Sequence, residues 1–140
     1  METTLRRRRF GDTVELLRYV YQDITRLSEV ASPYICSRIA DRNSTVIRGI
    51  DGVQARMEAL KGATGGTLFM DVEKVLANRK FGVVFGVMRA QRPGLQDLAM
   101  RFCGIWRFVD GIVVEHSESL SEDSGKLEKW LWHARYPPGN

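Results

Sequence analysis

Within the stretch IVVEHSESL, residues 112–120, an imidazole and a carboxylate stand two positions apart, His116 and Glu118. An extended chain sends alternate side chains to the same face, so the two share a face if this stretch is a strand. That pairing is suited to proton transfer. A carboxylate moved toward apolar surroundings loses hydration, which disfavours its charged form and makes it a better base or acid near neutrality. A histidine beside it can hold or relay the proton. The same spacing also describes the wet face of a strand. Glu118 would then be a solvated carboxylate and His116 a hydrogen-bonded wall residue. The face that the pair occupies decides between these readings.

Other chemistries find little support. The second histidine, His133, lies near the C-terminus, so no metal centre is expected. GATGG, residues 62–66, lacks the lysine and the strand-to-helix context of a phosphate loop, and no cofactor is expected. Cys36 and Cys103 form neither a zinc pattern nor a disulfide framework, which suits a reducing, cytoplasmic setting. The net charge of +4 comes from one run, Arg6 to Arg9; without it, 17 basic residues face 17 acidic ones. A basic tail on a neutral body gives no nucleic-acid footprint. Arg89 and Arg107 are expected in surface pairs. The chain shows neither an apolar run of the roughly 20 residues needed to cross a membrane nor a secretory leader, so no membrane partner is expected.

The elements that must position the pair follow from periodicity. Asp12-Thr13-Val14-Glu15 has the spacing of a capping box, and Val14, Leu17, Tyr21 and Ile24 recur as the buried stripe of a first helix. Ser32-Pro33 predicts a second, shorter helix carrying Tyr34, Ile35 and Ile39. Asp51 and Gln54 repeat the capping-box spacing before the stripe Val53, Met57 and Leu60, with Gly62 as its stop. The period then changes. Residues 68–77, FGVVFGVMRA (81–90), 98–109 and 112–120 read as strands, with Gly82 and Gly86 permitting strong curvature. Three helices followed by three or four antiparallel strands make the class α+β. Residues 1–11 form a basic tail, 12–120 the domain, and 121–140 an extension. The extension has a possible short helix bearing Leu127, Trp130 and Leu131, stopped by Pro137-Pro138.

Register fixes the face. A three-residue loop, Val109-Asp110-Gly111, would pair Phe108 with Ile112, Trp106 with Val114, Gly104 with His116 and Phe102 with Glu118. A two-residue Asp110-Gly111 turn would instead set Cys103 against Glu118, since a one-residue slip exchanges faces. The first option gathers Phe102, Trp106, Phe108, Ile112 and Val114 into one apolar wall around the ionisable pair, and is preferred for that reason.

Two stretches, VIRGIDGVQARMEAL and CGIWRFVDGIVVEHSE, resemble the SnoaL-like polyketide cyclases of the nuclear transport factor 2-like superfamily, which also includes the ketosteroid isomerases. The resemblance implies a cone-shaped, curved antiparallel sheet wrapped by three N-terminal helices, with an apolar pocket on its concave face. It implies a cofactor-independent enzyme that moves a proton next to a carbonyl, by cyclisation, isomerisation or dehydration. The substrate would be small, hydrophobic and carbonyl-containing, polyketide-like or polycyclic. Glu118 falls where the family has the acidic residue of its final strand, and His116 where it tends to have histidine. LLRYVYQDI is similar to the first helix of ketosteroid isomerases, which makes Tyr19 the candidate hydrogen-bond donor to a substrate oxygen. Tyr34, Phe102, Gly104, Trp106, Phe108 and Val114 would line the pocket, with Tyr34 serving as core or wall. Gly104 departs from the family pattern of Asp or His. Either the usual chemistry is lost, leaving a binding or assembly module, or the glycine makes room for a bulkier ligand. A homodimer through the convex face, near Trp130 and Trp132, is also implied.

Overall fold

The computed structural model describes residues 10–41, 43–120 and 124–135. Helix α1 (Thr13–Gln22) starts where the capping spacing predicts, with Asp12 Oδ1 accepting from the Glu15 amide at 2.8 Å. That bond satisfies one of the amides left free in a first turn. Leu16, Leu17, Val20 and Tyr21 form its buried side. A 3-10 turn follows over Ile24–Glu29, capped by Asp23, whose Oδ1 accepts from the Thr25 amide and hydroxyl.

The helix expected from Ser32-Pro33 is a strand. Strand β1 (Ala31–Arg38) buries Ala31, Ile35 and Ser37 and turns Tyr34 and Arg38 outward. The tertiary setting outweighs the local start signal, because β1 is hydrogen-bonded on both flanks, by β2 (Val46–Arg48) and by β6 (Ile112–Leu120). The proline is accommodated by an irregularity in the β1–β6 register between Ala31 and Cys36, where a missing N–H does least harm. Helix α2 (Ile50–Ala63) begins one residue before Asp51, after an N-cap at Gly49 with φ of 89° and no side-chain hydrogen bond. Gln54 does not complete a capping box. It clamps the 3-10 turn instead, donating to the Thr25 carbonyl at 2.6 Å and accepting from the Ser28 amide at 3.2 Å.

Strands β3 (Phe69–Ala77), β4 (Phe81–Ala90), β5 (Leu98–Val109) and β6 complete a six-stranded sheet of order β2-β1-β6-β5-β4-β3. The β1–β6 pair is parallel and the other pairs are antiparallel, so the sheet is mixed and longer than the three or four antiparallel strands expected. The even-numbered residues of β4 and β5 all face inward, onto α1 and the core. Curvature has an identifiable cause. The β3–β4 register shifts between Val72 and Lys74, opposite Gly86, and a Cβ on Gly86 would come within 2.2 Å of the Asp71 carbonyl oxygen. Only a residue without a side chain lets the bulged strand approach so closely.

The β5–β6 hairpin turns through two residues, Asp110 (φ 51°) and Gly111 (φ 78°), not the three expected. Two left-handed residues in succession match the twist of the flanking strands better than a wider loop does. Phe108 therefore pairs with Val113 and Val109 with Ile112. A bulge at Val114 then moves the register by one, giving Trp106 opposite His116, Gly104 opposite Glu118 and Phe102 opposite Leu120. The bulge restores the parity that the two-residue turn would have reversed, so His116 and Glu118 still face inward.

The C-terminal helix α3 (Ser124–Arg135) lays Leu127 into the core, and the Trp130 indole donates to the Gln96 carbonyl at 2.7 Å. The Arg6–Arg9 run and Pro137-Pro138 lie outside the described residues. Among the described residues no helix is long and apolar enough to cross a membrane. Gly86→Ala should cost about 1–3 kcal/mol of stability, because the added methyl overlaps backbone that only the whole bulge can move. Urea unfolding would register this as a lower midpoint at unchanged slope.

Candidate functional site

His116 is fixed from three sides. Its Nδ1 lies 3.0 Å from Ser37 Oγ, across the β1–β6 pair. Its Nε2 lies 2.8 Å from Glu118 Oε1, and its ring stacks on Trp106 at 4.1 Å between centroids. The residue is 4% exposed. Ser37 is wholly buried, so it orients the ring and is not presented as a nucleophile. With Glu118 ionised, Nε2 must donate, and a neutral ring then accepts at Nδ1 from the Ser37 hydroxyl.

The second donor to Glu118 is Tyr21. Its hydroxyl accepts from the Trp106 indole N–H at 3.1 Å and lies 3.3 Å from Glu118 Oε1. Indole is only a donor, so the tyrosine proton is directed to the carboxylate. Tyr21 also stacks on Phe102 at 5.4 Å and meets Trp106 edge-on at 5.7 Å. Burial, and then the negative charge of Glu118, push its phenol well above the usual range, so it stays a neutral donor. Oε1 thus faces two donors. Oε2 is buried and has no hydrogen-bond partner among the described residues.

Tyr21, Trp106, His116 and Glu118 line a cavity of about 70 Å³. Apart from Arg56, the rest of its wall is apolar, including Ile24 and Leu27 from the 3-10 turn, Met57 and Leu60 from α2, Met70 and Met88 from the sheet, and Leu127 from α3. Glu118 keeps 18% of its side chain exposed, so the site is secluded without being sealed. The Cys103 thiol, on the opposite face of β5, is pushed up by burial and by Glu118, which disfavours its thiolate. The two arginines expected in surface pairs are so placed, Arg89 with Asp71 at 3.2 Å and Arg107 with Glu115.

Several sequence-predicted residues are brought together, and others are not. His116, Glu118 and Trp106 line the cavity, and Phe102 backs Tyr21. Tyr19 does not reach it. The Tyr19 hydroxyl donates to Glu29 Oε1 at 2.7 Å, and its ring lies under Arg26 and beside Phe10. Tyr34 is 89% exposed, because strand alternation points it away from the interior. Phe108 is buried in the core under Gly82, and Val114 is the half-buried extra residue of the bulge; neither is in the cavity wall. Gly104 does not open space for a ligand. A Cβ there would fall 2.1 Å from the Tyr21 hydroxyl, so the glycine admits that hydroxyl. Sequence reasoning missed Tyr21 and Ser37 as site residues. Tyr21 carried a readable signal, since it belongs to the α1 stripe and Tyr19 does not.

No protein-family model matches the sequence, and no curated protein matches it significantly. Solved structures do match. One is a Xanthomonas campestris protein of unknown function with a cystatin-like fold, 17% identical, covering 85% of this chain and 98% of that one at a TM-score of 0.70. A candidate SnoaL-like polyketide cyclase from Jannaschia sp. CCS1 is 18% identical, with 95% and 99% covered and a TM-score of 0.68. A nuclear transport factor 2-like protein of unknown function from Burkholderia pseudomallei is 16% identical, with 87% and 98% covered and a TM-score of 0.67. The chain has the nuclear transport factor 2-like fold. Within this fold the cavity is lined jointly by the sheet and the helices.

Tyr21→Phe removes one hydroxyl and leaves the Trp106 N–H without its acceptor. It should cost about 1–3 kcal/mol, read by denaturant unfolding. Gly104→Ala should cost at least as much, because it displaces the same hydroxyl and strains the ring.

Proposed function

We propose that this chain is a cofactor-independent enzyme that moves a proton next to a carbonyl, as in cyclisation, isomerisation or dehydration, with Glu118 as the proton carrier. One observation carries the reading. A carboxylate inside an apolar cavity has one oxygen held by two donors and the other without a partner. The held oxygen orients the group, and the free one is the oxygen with basic capacity left. Oε2 takes the proton alpha to the carbonyl and returns it at another position or to the leaving oxygen. Once Oε2 is protonated, Oε1 is a poorer acceptor. The Tyr21 hydroxyl hydrogen can then rotate to the developing enolate oxygen, while the His116 Nε2–H stays on Oε1. Ser37 and Trp106 keep the imidazole in place throughout.

An apolar carbonyl compound suits these walls, and the likeness of fold to a candidate SnoaL-like polyketide cyclase supports a polyketide-like one. The resting cavity, about 70 Å³, is about half the roughly 150 Å³ that holds a benzene. Entry of a ring therefore requires the flexible Met57, Met70 and Met88 side chains, or Leu127 of α3, to move aside.

Proton transfer of this kind can be followed without knowing the physiological substrate. In D2O the wild-type protein should catalyse deuterium exchange alpha to the carbonyl in members of a panel of cyclic and acyclic ketones, followed by proton NMR. Glu118→Gln keeps the shape and should lower exchange by about 10²–10⁴-fold with ligand affinity kept. Exchange retained in that variant removes Glu118 from the role. No exchange with any ketone favours a non-catalytic binding module of the same fold.

A homodimer through the outer face of the sheet is also proposed. Leu76, Val83 and Ile105 lie side by side across β3, β4 and β5, with Phe85 beside them, and Leu76, Phe85 and Ile105 are exposed. A contiguous apolar patch of this kind is a usual association surface. Trp132 is 61% exposed, whereas Trp130 is tied to Gln96 in its own chain. Sedimentation equilibrium at low micromolar concentration should give a dimer, and Ile105→Lys a monomer. A wild-type monomer rejects the dimer.

A further inference from the structure

The cavity lining holds a polar cluster, His116, Glu118 and Tyr21, and one cationic residue, Arg56. Tyr21 and His116 are buried, whereas Ile39, Ala40 and Arg56 are partly exposed, which puts Arg56 on the solvent side of the lining. Arg56 stands on α2 one turn before Leu60 and directly before Met57, so it continues the cavity wall toward the surface. Its side chain is half-buried, yet it makes no hydrogen bond or ion pair among the described residues. The acidic group that feels its charge is Asp41. Asp41 is already engaged, its two oxygens accepting from the Thr45 amide at 2.8 Å and the Thr45 hydroxyl at 2.5 Å. A guanidinium at the edge of an apolar cavity is normally paired, because its five donors lose water there.

We propose that Arg56 anchors an acid group of the ligand, so that the cavity takes an amphipathic carboxylate. The carboxylate sits at the rim against Arg56, the apolar body lies among the methionines, and the reacting end points inward. Charge sets this orientation. An acid group set beside the Glu118 carboxyl meets a like group, whereas the Arg56 guanidinium fork donates two parallel hydrogen bonds to a carboxylate. The inference deepens the reading above, since it assigns the substrate class of the same cavity, but it concerns binding and can hold where turnover fails.

The test uses the full chain and the probe pair hexanoate and methyl hexanoate, which differ in charge and little in apolar bulk. Occupancy is read from the Trp106 indole N–H in proton–nitrogen correlation spectra. Hexanoate should shift that signal saturably at low salt and bind at least tenfold more tightly than the ester, with the preference shrinking as salt is added. Arg56→Gln should bring hexanoate down to the ester's affinity and leave the ester unchanged, and Arg56→Lys should restore part of the preference. Equal affinity for acid and ester in the wild type, a preference that survives Arg56→Gln, or no Trp106 shift with hexanoate each overturns the proposal. Glu118→Gln should retain the preference for the acid. Loss of deuterium exchange together with a retained preference therefore rejects the catalytic reading alone.

Discussion

Placing a carboxylate inside an apolar shell is the constraint from which the rest of the site follows. Glu118 is tolerated there because the protein replaces water around it with His116 and Tyr21, at 2.8 and 3.3 Å from one oxygen. Each donor needs its own support. Tyr21 is oriented by the Trp106 indole, and His116 by Ser37 and by the Trp106 ring. One carboxylate thus fixes the mutual placement of α1, β1, β5 and β6.

The same network explains why position 104 is a glycine. The volume above Gly104 is occupied by the Tyr21 hydroxyl, a polar group delivered from a different element. Read in isolation, the glycine suggests either lost chemistry or room for a bulkier ligand. In three dimensions the glycine lets a helix residue set a donor beside the carboxylate of the strand.

Much of this was legible in the sequence, for reasons that can be located. The cap at Asp12, the β4 and β5 alternation and the spacing of His116 and Glu118 are local signals, and local rules read them correctly. The strand at Ala31–Arg38 was not legible, because Ser32-Pro33 is a sound helix start and only the long-range pairing with β6 overrides it. Ser37 was lost with it. The inward face of the pair was reached by a different route from the expected one. A two-residue turn and a bulge at Val114 together replace a three-residue loop, and no local rule foresees a bulge that repairs the parity of a turn. Tyr19 was chosen over Tyr21 on a short motif likeness, although the helical stripe already pointed to Tyr21.

The contact between Ser37 and His116 spans 79 residues of sequence and is made across the parallel β1–β6 pair. Joining strands so far apart closes a large loop, which is entropically slow to form and yields no reward until both partners are present. During synthesis β1 must therefore wait, with one edge unpaired, until β6 has emerged. The pocket is among the last features to assemble, and the exposed β1 edge is the stretch of this chain most in need of protection in the interval.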